Sequence, residues 1–380
     1  MLSKIEAYLK DKTQELSFLT IKGDANLGIK GYSLPGEGLD VPVLTEELAA
    51  SIKAGKGDEI KITSIIKGMI FTLGIDSSFK YKEEYIKFLR AANPSIEEYI
   101  FYQSTLFGQG TLEEIIFLKA LITINPSNNR GLLSYGITLV NYGEGKLKDK
   151  GYEKQYRSFI SEGKNILEEL LNRGVNEALI YYNLAYIYKT QKKYVKAELM
   201  AERLLEVSDE ELLKDHMILL LGEIKDLALY EEGYEAILSC EAQRGLPLLE
   251  GLLEQYPKWW NLRFFIGLGY RQLGDYDSAL EQFIEVLELK HNQLDTLVEV
   301  GLCHAALGNN MDAVDYFELA LELGGENSEI LCNLAIAHIQ AGDYQAAREA
   351  IEKSLDLNSE DAIAKHVYDN LMARIEADNK

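Results

Sequence analysis

Three stretches of this chain restate one pattern at a fixed step. GDYDSALEQFIEVLEL begins at Gly274, GNNMDAVDYFELALEL at Gly308 and GDYQAAREAIEKSLDL at Gly342, each 34 residues after the one before. Ala279, Ala313 and Ala347 keep that step, and so do Phe283, Phe317 and Ile351. Upstream, Ile266, Val300 and Leu334 align. Each is followed by a small residue (Gly267, Gly301, Ala335), and three residues further on stand Tyr270, His304 and His338. A unit this short cannot bury its own apolar surface, so a chain built from it must stack copies against one another.

Each copy reads as two antiparallel helices. Apolar residues at spacings of three and four predict a first helix from about Leu262 to Leu273. Gly274 stops it, because glycine tolerates the left-handed backbone of a helix C-terminus. Asp275 is placed to start the second helix. Gly267 and Ala279 let the pair approach closely, and Phe283 is expected to fill the space between one pair and the next.

The stretch from Trp260 to about Ser359 resembles three consecutive tetratricopeptide repeats, a family with this period and this pattern of small, aromatic and alanine positions. A further copy lies upstream in EALIYYNLAYIYKTQKKYVKAELMAERLLEV. There Tyr181, Leu184, Ala185, Tyr188, Ala197 and Leu204 take the matching places, and Lys192 stands where the family has glycine. Weaker copies extend the pattern. GLLSYGITLVNYGEG pairs with SFISEGKNILEELLNRG across an insertion near 143–157, and SIEEYIFYQSTLFGQGTLEEIIFLKALITINP reads as a helical hairpin. Between 205 and 257 the register breaks. DHMILLLGEIKDLALY fits a first helix, and either YEAILSCEAQ or LPLLEGLLEQY could be its partner.

The resemblance implies an all-α fold. It would be a right-handed superhelical solenoid of antiparallel helix hairpins, with an N-terminal helical and loop region as a cap. Four divisions are expected: a cap or small domain over 1–94, degenerate hairpins over 95–257, three regular repeats over 258–359, and a capping helix over 360–380. That last helix shows a stripe of Ile363, Val367, Leu371 and Ile375. In the first division, LSFLTIKGDANLGIKGYSLPGEGLDVPV carries glycines and prolines and reads as a loop or a short hairpin.

Composition narrows function. The formal net charge is −22, and from Lys258 to the C-terminus 9 Lys and Arg face 22 Asp and Glu, so phosphate backbones are repelled and no nucleic-acid partner is expected. The 3 cysteines are scattered and odd in number, which argues for a reducing compartment. The N-terminus lacks a signal-peptide core and no run of 18 apolar residues occurs, so a cytoplasmic protein with no membrane insertion is expected. GYSLPGEG lacks the setting of a nucleophile elbow, and AGKGDEIK lacks phosphate-loop spacing. Cys303 with His304 and Cys332 with His338 could be imagined on a metal. The histidines, however, occupy the ring position of Tyr270 and Tyr188, and packing is the simpler reading. No catalytic residue, metal or cofactor is expected, and no enzyme.

In the family it resembles, first helices line a concave face that holds segments of partner proteins. Carried onto this chain residue by residue, the groove positions are Tyr182, Tyr186 and Lys189, then Phe264, Leu268 and Arg271, then Val298 and Leu302, then Cys332 and Ile336. Asn183 and Asn333 stand where carboxylate-clamping members use polar side chains, but the neighbouring bases are missing. An apolar or amphipathic partner peptide or helix fits better. The expected function is therefore a protein-interaction adaptor or scaffold. One alternative is a self-assembling structural protein that uses its end caps as oligomer contacts, which leaves a homo-oligomer open. A third, weaker reading is a regulator with an N-terminal output region, although EIKITSIIKGMIFTLG is too apolar for a basic recognition helix.

Overall fold

A computed structural model describes residues 4–54, 60–147 and 153–378. Most of AGKGDEIK and the middle of the insertion (148–152) fall outside those residues. Backbone packing divides the chain into two compact units: Met1–Gln191 with Leu199–Ile218, and Lys192–Glu198 with Leu219–Lys380.

The first unit opens with helix α1 (Lys4–Lys10) and a short 3-10 turn, followed by an antiparallel hairpin of β1 (Leu16–Ile21) and β2 (Leu39–Leu44). Leu16 pairs with Leu44 and Ile21 with Leu39. Of the two readings open for this segment, the hairpin is the one realised, and it is the departure from an otherwise helical chain among the described residues. The intervening loop is not idle, since Leu27, Ile29, Tyr32 and Leu34 turn back onto the core. Helices α2 (Thr45–Lys53), α3 (Ile62–Ile75), α4 (Lys82–Ala92), α5 (Ile96–Thr105) and α6 (Leu112–Ile124) follow. α3 is indented by glycine on two sides. A Cβ on Gly68 would fall 2.0 Å from the Pro42 carbonyl oxygen in β2, and one on Gly74 would fall 2.1 Å from that of Ile116 in α6.

Helices α7 (Asn129–Lys146) and α8 (Glu153–Asn172) form a long antiparallel pair. Residues 143–146 end α7 and 153–157 begin α8, so the described parts of the expected insertion lengthen two helices. One apolar core runs from Ile5 and Leu9 through Val41, Met69, Tyr85 and Leu121 to Tyr135 and Phe159. Beyond it come α9 (Ala178–Thr190), then α10 (Tyr194–Val207) and α11 (Glu211–Leu238), within which the boundary between units falls.

α11 settles the ambiguous register. It runs unbroken for 28 residues and absorbs both DHMILLLGEIKDLALY and YEAIL. The next helix, α12 (Ala242–Leu253), contains LPLLEGLL and packs on α13 (Trp260–Gln272). Gly233 does not stop α11. It lets α12 in, for a Cβ on the facing Gly245 would come 2.6 Å from the Gly233 carbonyl oxygen.

Then the regular repeats begin, as α13 with α14 (Tyr276–Leu289), α15 (Leu294–Leu307) with α16 (Asn310–Gly324), and α17 (Ser328–Ala341) with α18 (Tyr344–Leu357). The stops act as the pattern requires. Gly274, Gly308 and Gly342 have φ of 80°, 80° and 84°, and the amide after each donates to a carbonyl five residues back (Asp275 to Tyr270, Asn309 to His304, Asp343 to His338). The Asp275 and Asp343 carboxylates accept from the amides of Ser278 and Ala346, capping α14 and α18. Lys192, at the glycine place of the upstream copy, is forced to the same left-handed region with φ 58°.

Close packing follows the sequence pattern too. A Cβ on Gly267 would meet Phe283 ring atoms at 2.6 Å, and one on Gly301 would meet Phe317 at 2.7 Å. Phe283 reaches on to Val300 and Cys303 in the next repeat. Where the ring becomes Ile351, the glycine becomes Ala335, so the added methyl compensates for the smaller partner. The chain closes with α19 (Ala362–Asp378), which packs on α17 and α18. Its buried stripe is Ala364, Leu371 and, half-buried, Val367 and Ile375. Ile363, expected in that stripe, is 67% exposed instead, because it lies one residue off the three-and-four spacing set by Ala364.

Candidate functional site: the first-helix faces

Of the residues assigned to the groove, those on α9 lie in the first unit and those from Phe264 onward in the second. In the first unit, Tyr182, Tyr186 and Lys189 all lie half-buried on α9. The Tyr182 and Tyr186 rings meet at 5.1 Å between centroids, and the Tyr182 hydroxyl lies 3.2 Å from Nδ1 of His216 on α11. His216 is one period beyond Tyr182 and extends that face into α11. Carrying the 34-residue step forward through the irregular region would have found it.

In the second unit the first helices α13, α15 and α17 are laid side by side. Phe264 and Leu268 are half-buried, with the Phe264 ring 5.8 Å from that of Phe283. Val298, Leu302 and Ile336 are half-buried over one common core. Arg271 crosses to the neighbouring helix and forms an ion pair of 2.5 Å with Glu299. Glu299 was not among the expected groove residues. Burial pushes its carboxyl up, Arg271 holds it down, and Asp295 adds to the push.

Cys332 requires a correction. It is 4% exposed and belongs to the core, not to an open face. Its equivalent one repeat earlier, Val298, is half-buried, but α19 packs on α17 and brings Asp361 near the thiol. Burial first, and the Asp361 charge second, raise its pKa.

The ring position before each glycine stop carries a polar link as well. The Tyr188 hydroxyl donates to Glu168 at 2.5 Å, and the Tyr270 hydroxyl donates to Glu250, both partners standing 20 residues upstream. In the next copy His304 stacks on Tyr316, with centroids 5.5 Å apart and planes at 14°. His304 thus packs as a ring, and Cys303 beside it is buried, with burial raising its pKa to about 12. Among the described residues no three His, Cys, Asp or Glu side chains are gathered as for a metal ion, and no helix is long and apolar enough to cross a membrane.

Profiles of the tetratricopeptide repeat match residues 178–210 and 261–293, and a second such profile matches 292–360. No curated protein matches the chain. Among solved structures, MamA MSR-1 is 21% identical over 48% of this chain and 97% of its own, with a TM-score of 0.37. YrrB, described as a tetratricopeptide-repeat protein with an unusual peptide-binding site, is 18% identical over 53% of this chain and 96% of its own, with a TM-score of 0.39. The Sgt2 repeat domain from Aspergillus fumigatus is 20% identical over 32% and 81%, with a TM-score of 0.30. The repeat geometry and the profile matches together show that the chain carries tetratricopeptide repeats over residues 178–210 and 261–360, helix hairpins of the kind found in protein-interaction scaffolds.

Proposed function

We propose that the chain is a cytoplasmic, non-enzymatic adaptor that seats an apolar or amphipathic segment of a partner protein against its first helices. The observation that carries this reading is the face of α13, α15 and α17. There Phe264, Leu268, Val298, Leu302 and Ile336 keep part of their apolar surface in solvent while packing beneath on the core. Tyr182, Tyr186 and Lys189 supply the corresponding face in the first unit. Half-buried aliphatic side chains aligned over successive helices are what a helix-in-groove partner reads.

Photo-crosslinking from position 302 tests it, with position 319, an exposed leucine on the second helix α16, as control. The reading expects a discrete partner protein captured from 302 in extracts of the native host and not from 319. Equal capture from both, or capture from 319 alone, overturns it.

A second reading, self-association through the end of the array, has one observation behind it: the exposed Ile363 on α19. Light scattering decides it, since a mass that stays monomeric across concentration removes the reading.

A further inference from the structure

The first helices of the last two regular repeats are unusual in their charge. α15 and α17 contain no lysine or arginine, and their formal charges are Asp295, Glu299 and Glu329. Glu299 is already paired with Arg271, which reaches over from α13. Asp295 and Glu329 are exposed, and neither meets a lysine or arginine among the described residues. They stand 34 residues apart, at the second position of their helices, so they share one edge of the face. Further along the same helices lie Val298 and Leu302, then Ile336, with Ala305 and Ile339 also half-buried on the same core. The face is therefore divided: carboxylates along the edge where α15 and α17 begin, aliphatic surface beyond.

An acid in the first turn of a helix is stabilised by the helix dipole, and that alone accounts for one at each position. It does not account for the lack of any lysine or arginine over both helices, on a face that also holds the half-buried carboxyl of Glu299.

We infer that the face of α15 and α17 takes a partner-protein segment that is aliphatic on one side and carries lysines or arginines along the adjoining edge, where they meet Asp295 and Glu329. The inference rests on the groove reading above and names the chemistry of its occupant. Packed neighbouring helices lie about 8–10 Å apart. Two cations spaced to reach both carboxylates then fall about seven residues apart on a helix rising 1.5 Å per residue, or about three apart on an extended chain. Anionic surfaces, whether lipid or nucleic acid, meet repulsion here, as the deficit of basic residues from Lys258 onward reinforces.

The test uses the full-length protein and two labelled 18-residue helical peptides, one of leucine and lysine with the lysines seven apart on the edge, the other with glutamate in place of lysine. Fluorescence anisotropy is read at about physiological salt, where the Debye length of ~8 Å leaves only near charges effective. The inference expects the lysine peptide to bind and the glutamate peptide not to. It expects Asp295→Asn with Glu329→Gln to weaken the lysine peptide about tenfold, a loss of the size that two near charge pairs supply. The control, Asp315→Asn with Glu318→Gln at exposed positions of α16, removes the same charge and is expected to leave binding within about threefold, because those groups lie on the second helix. Equal loss from both pairs overturns the inference in favour of a general acidic field. Unchanged binding in the Asp295/Glu329 variant overturns it as well, and so does a lysine peptide that fails to bind. Leu302→Ser, with its fold checked by circular dichroism, separates the two levels. If it abolishes binding while the charge variants do nothing, the groove stands and the charge inference falls. If it changes nothing, the groove reading itself fails.

Discussion

Replacing Gly267 by alanine would place a methyl carbon inside the contact distance of a buried ring. The added carbon would lie 2.6 Å from Cε1 of Phe283 and 2.9 Å from Cδ1 and Cζ. Carbon atoms pack at about 3.5–4.0 Å, so the ring would have to retreat by roughly 1 Å. Phe283 is 0% exposed and is bounded on its far side by Val300 and Cys303, so it has no free space to enter. Overpacking of this kind costs about 1–3 kcal/mol, and the better helix propensity of alanine returns about 1. Gly267→Ala should therefore lose about 1 kcal/mol net. Phe283→Ile alone leaves unfilled volume and should lose roughly 1–2 kcal/mol. In the isoleucine background the methyl has room, and Gly267→Ala should then gain up to about 1 kcal/mol. The two changes should thus couple favourably by about 2 kcal/mol, within the range seen for touching residues. The chain already holds this combination at Ala335 and Ile351. Urea unfolding followed by tryptophan fluorescence measures it, since both tryptophans, Trp259 and Trp260, sit at the start of α13. Additivity within about 0.5 kcal/mol, or a stabilising Gly267→Ala in the parent chain, would refute the reasoning.

Other predictions follow from single groups. Thr296 is 0% exposed, its hydroxyl has no hydrogen-bond partner, and the equivalent residues in the sister repeats are Leu262 and Ile330. Thr296→Val should stabilise by about 1–2 kcal/mol, seen as a rise of roughly 2–4 °C in Tm per kcal/mol for a unit of this size; an unchanged or lower Tm would contradict it. Lys192→Gly, at φ 58°, should stabilise by about 0.5–1 kcal/mol by relieving the left-handed backbone, as read by the same melts. Of the 3 thiols, Cys240 is exposed, whereas Cys303 and Cys332 are buried, with burial raising the pKa of both, that of Cys303 to about 12. A thiol reagent near neutral pH should modify Cys240 promptly in the folded protein and the other two only on unfolding. Prompt reaction of a second thiol would mean that α17 or α15 is open.

How much of the candidate face was legible varies with the kind of contact that makes it. Phe264, Leu268, Val298, Leu302 and Ile336, placed by the family's first-helix positions, keep the 34-residue step, and each stands half-buried over its core. The same step fails at Cys332, because its burial depends on where α19 lies, and α19 is not another copy of the repeat. Arg271 was placed on the face, but its pairing with Glu299 joins two helices 28 positions apart, a separation the repeat does not encode.

What the sequence by itself determined is the part of this protein that repeats. A left-handed stop needs glycine, a helix start favours aspartate, and a ring needs a small residue opposite it. These local demands recur at each step, so the pattern could be read without coordinates from Trp260 to Leu357. Tertiary structure decided what happens once. Gly233 ends nothing, because α12 packs onto it at Gly245; LSFLTI and LDVPVL become strands, because Gly68 lets β2 lie on α3. A glycine that turns the chain and a glycine that admits a neighbour are the same letter, and only the neighbour distinguishes them.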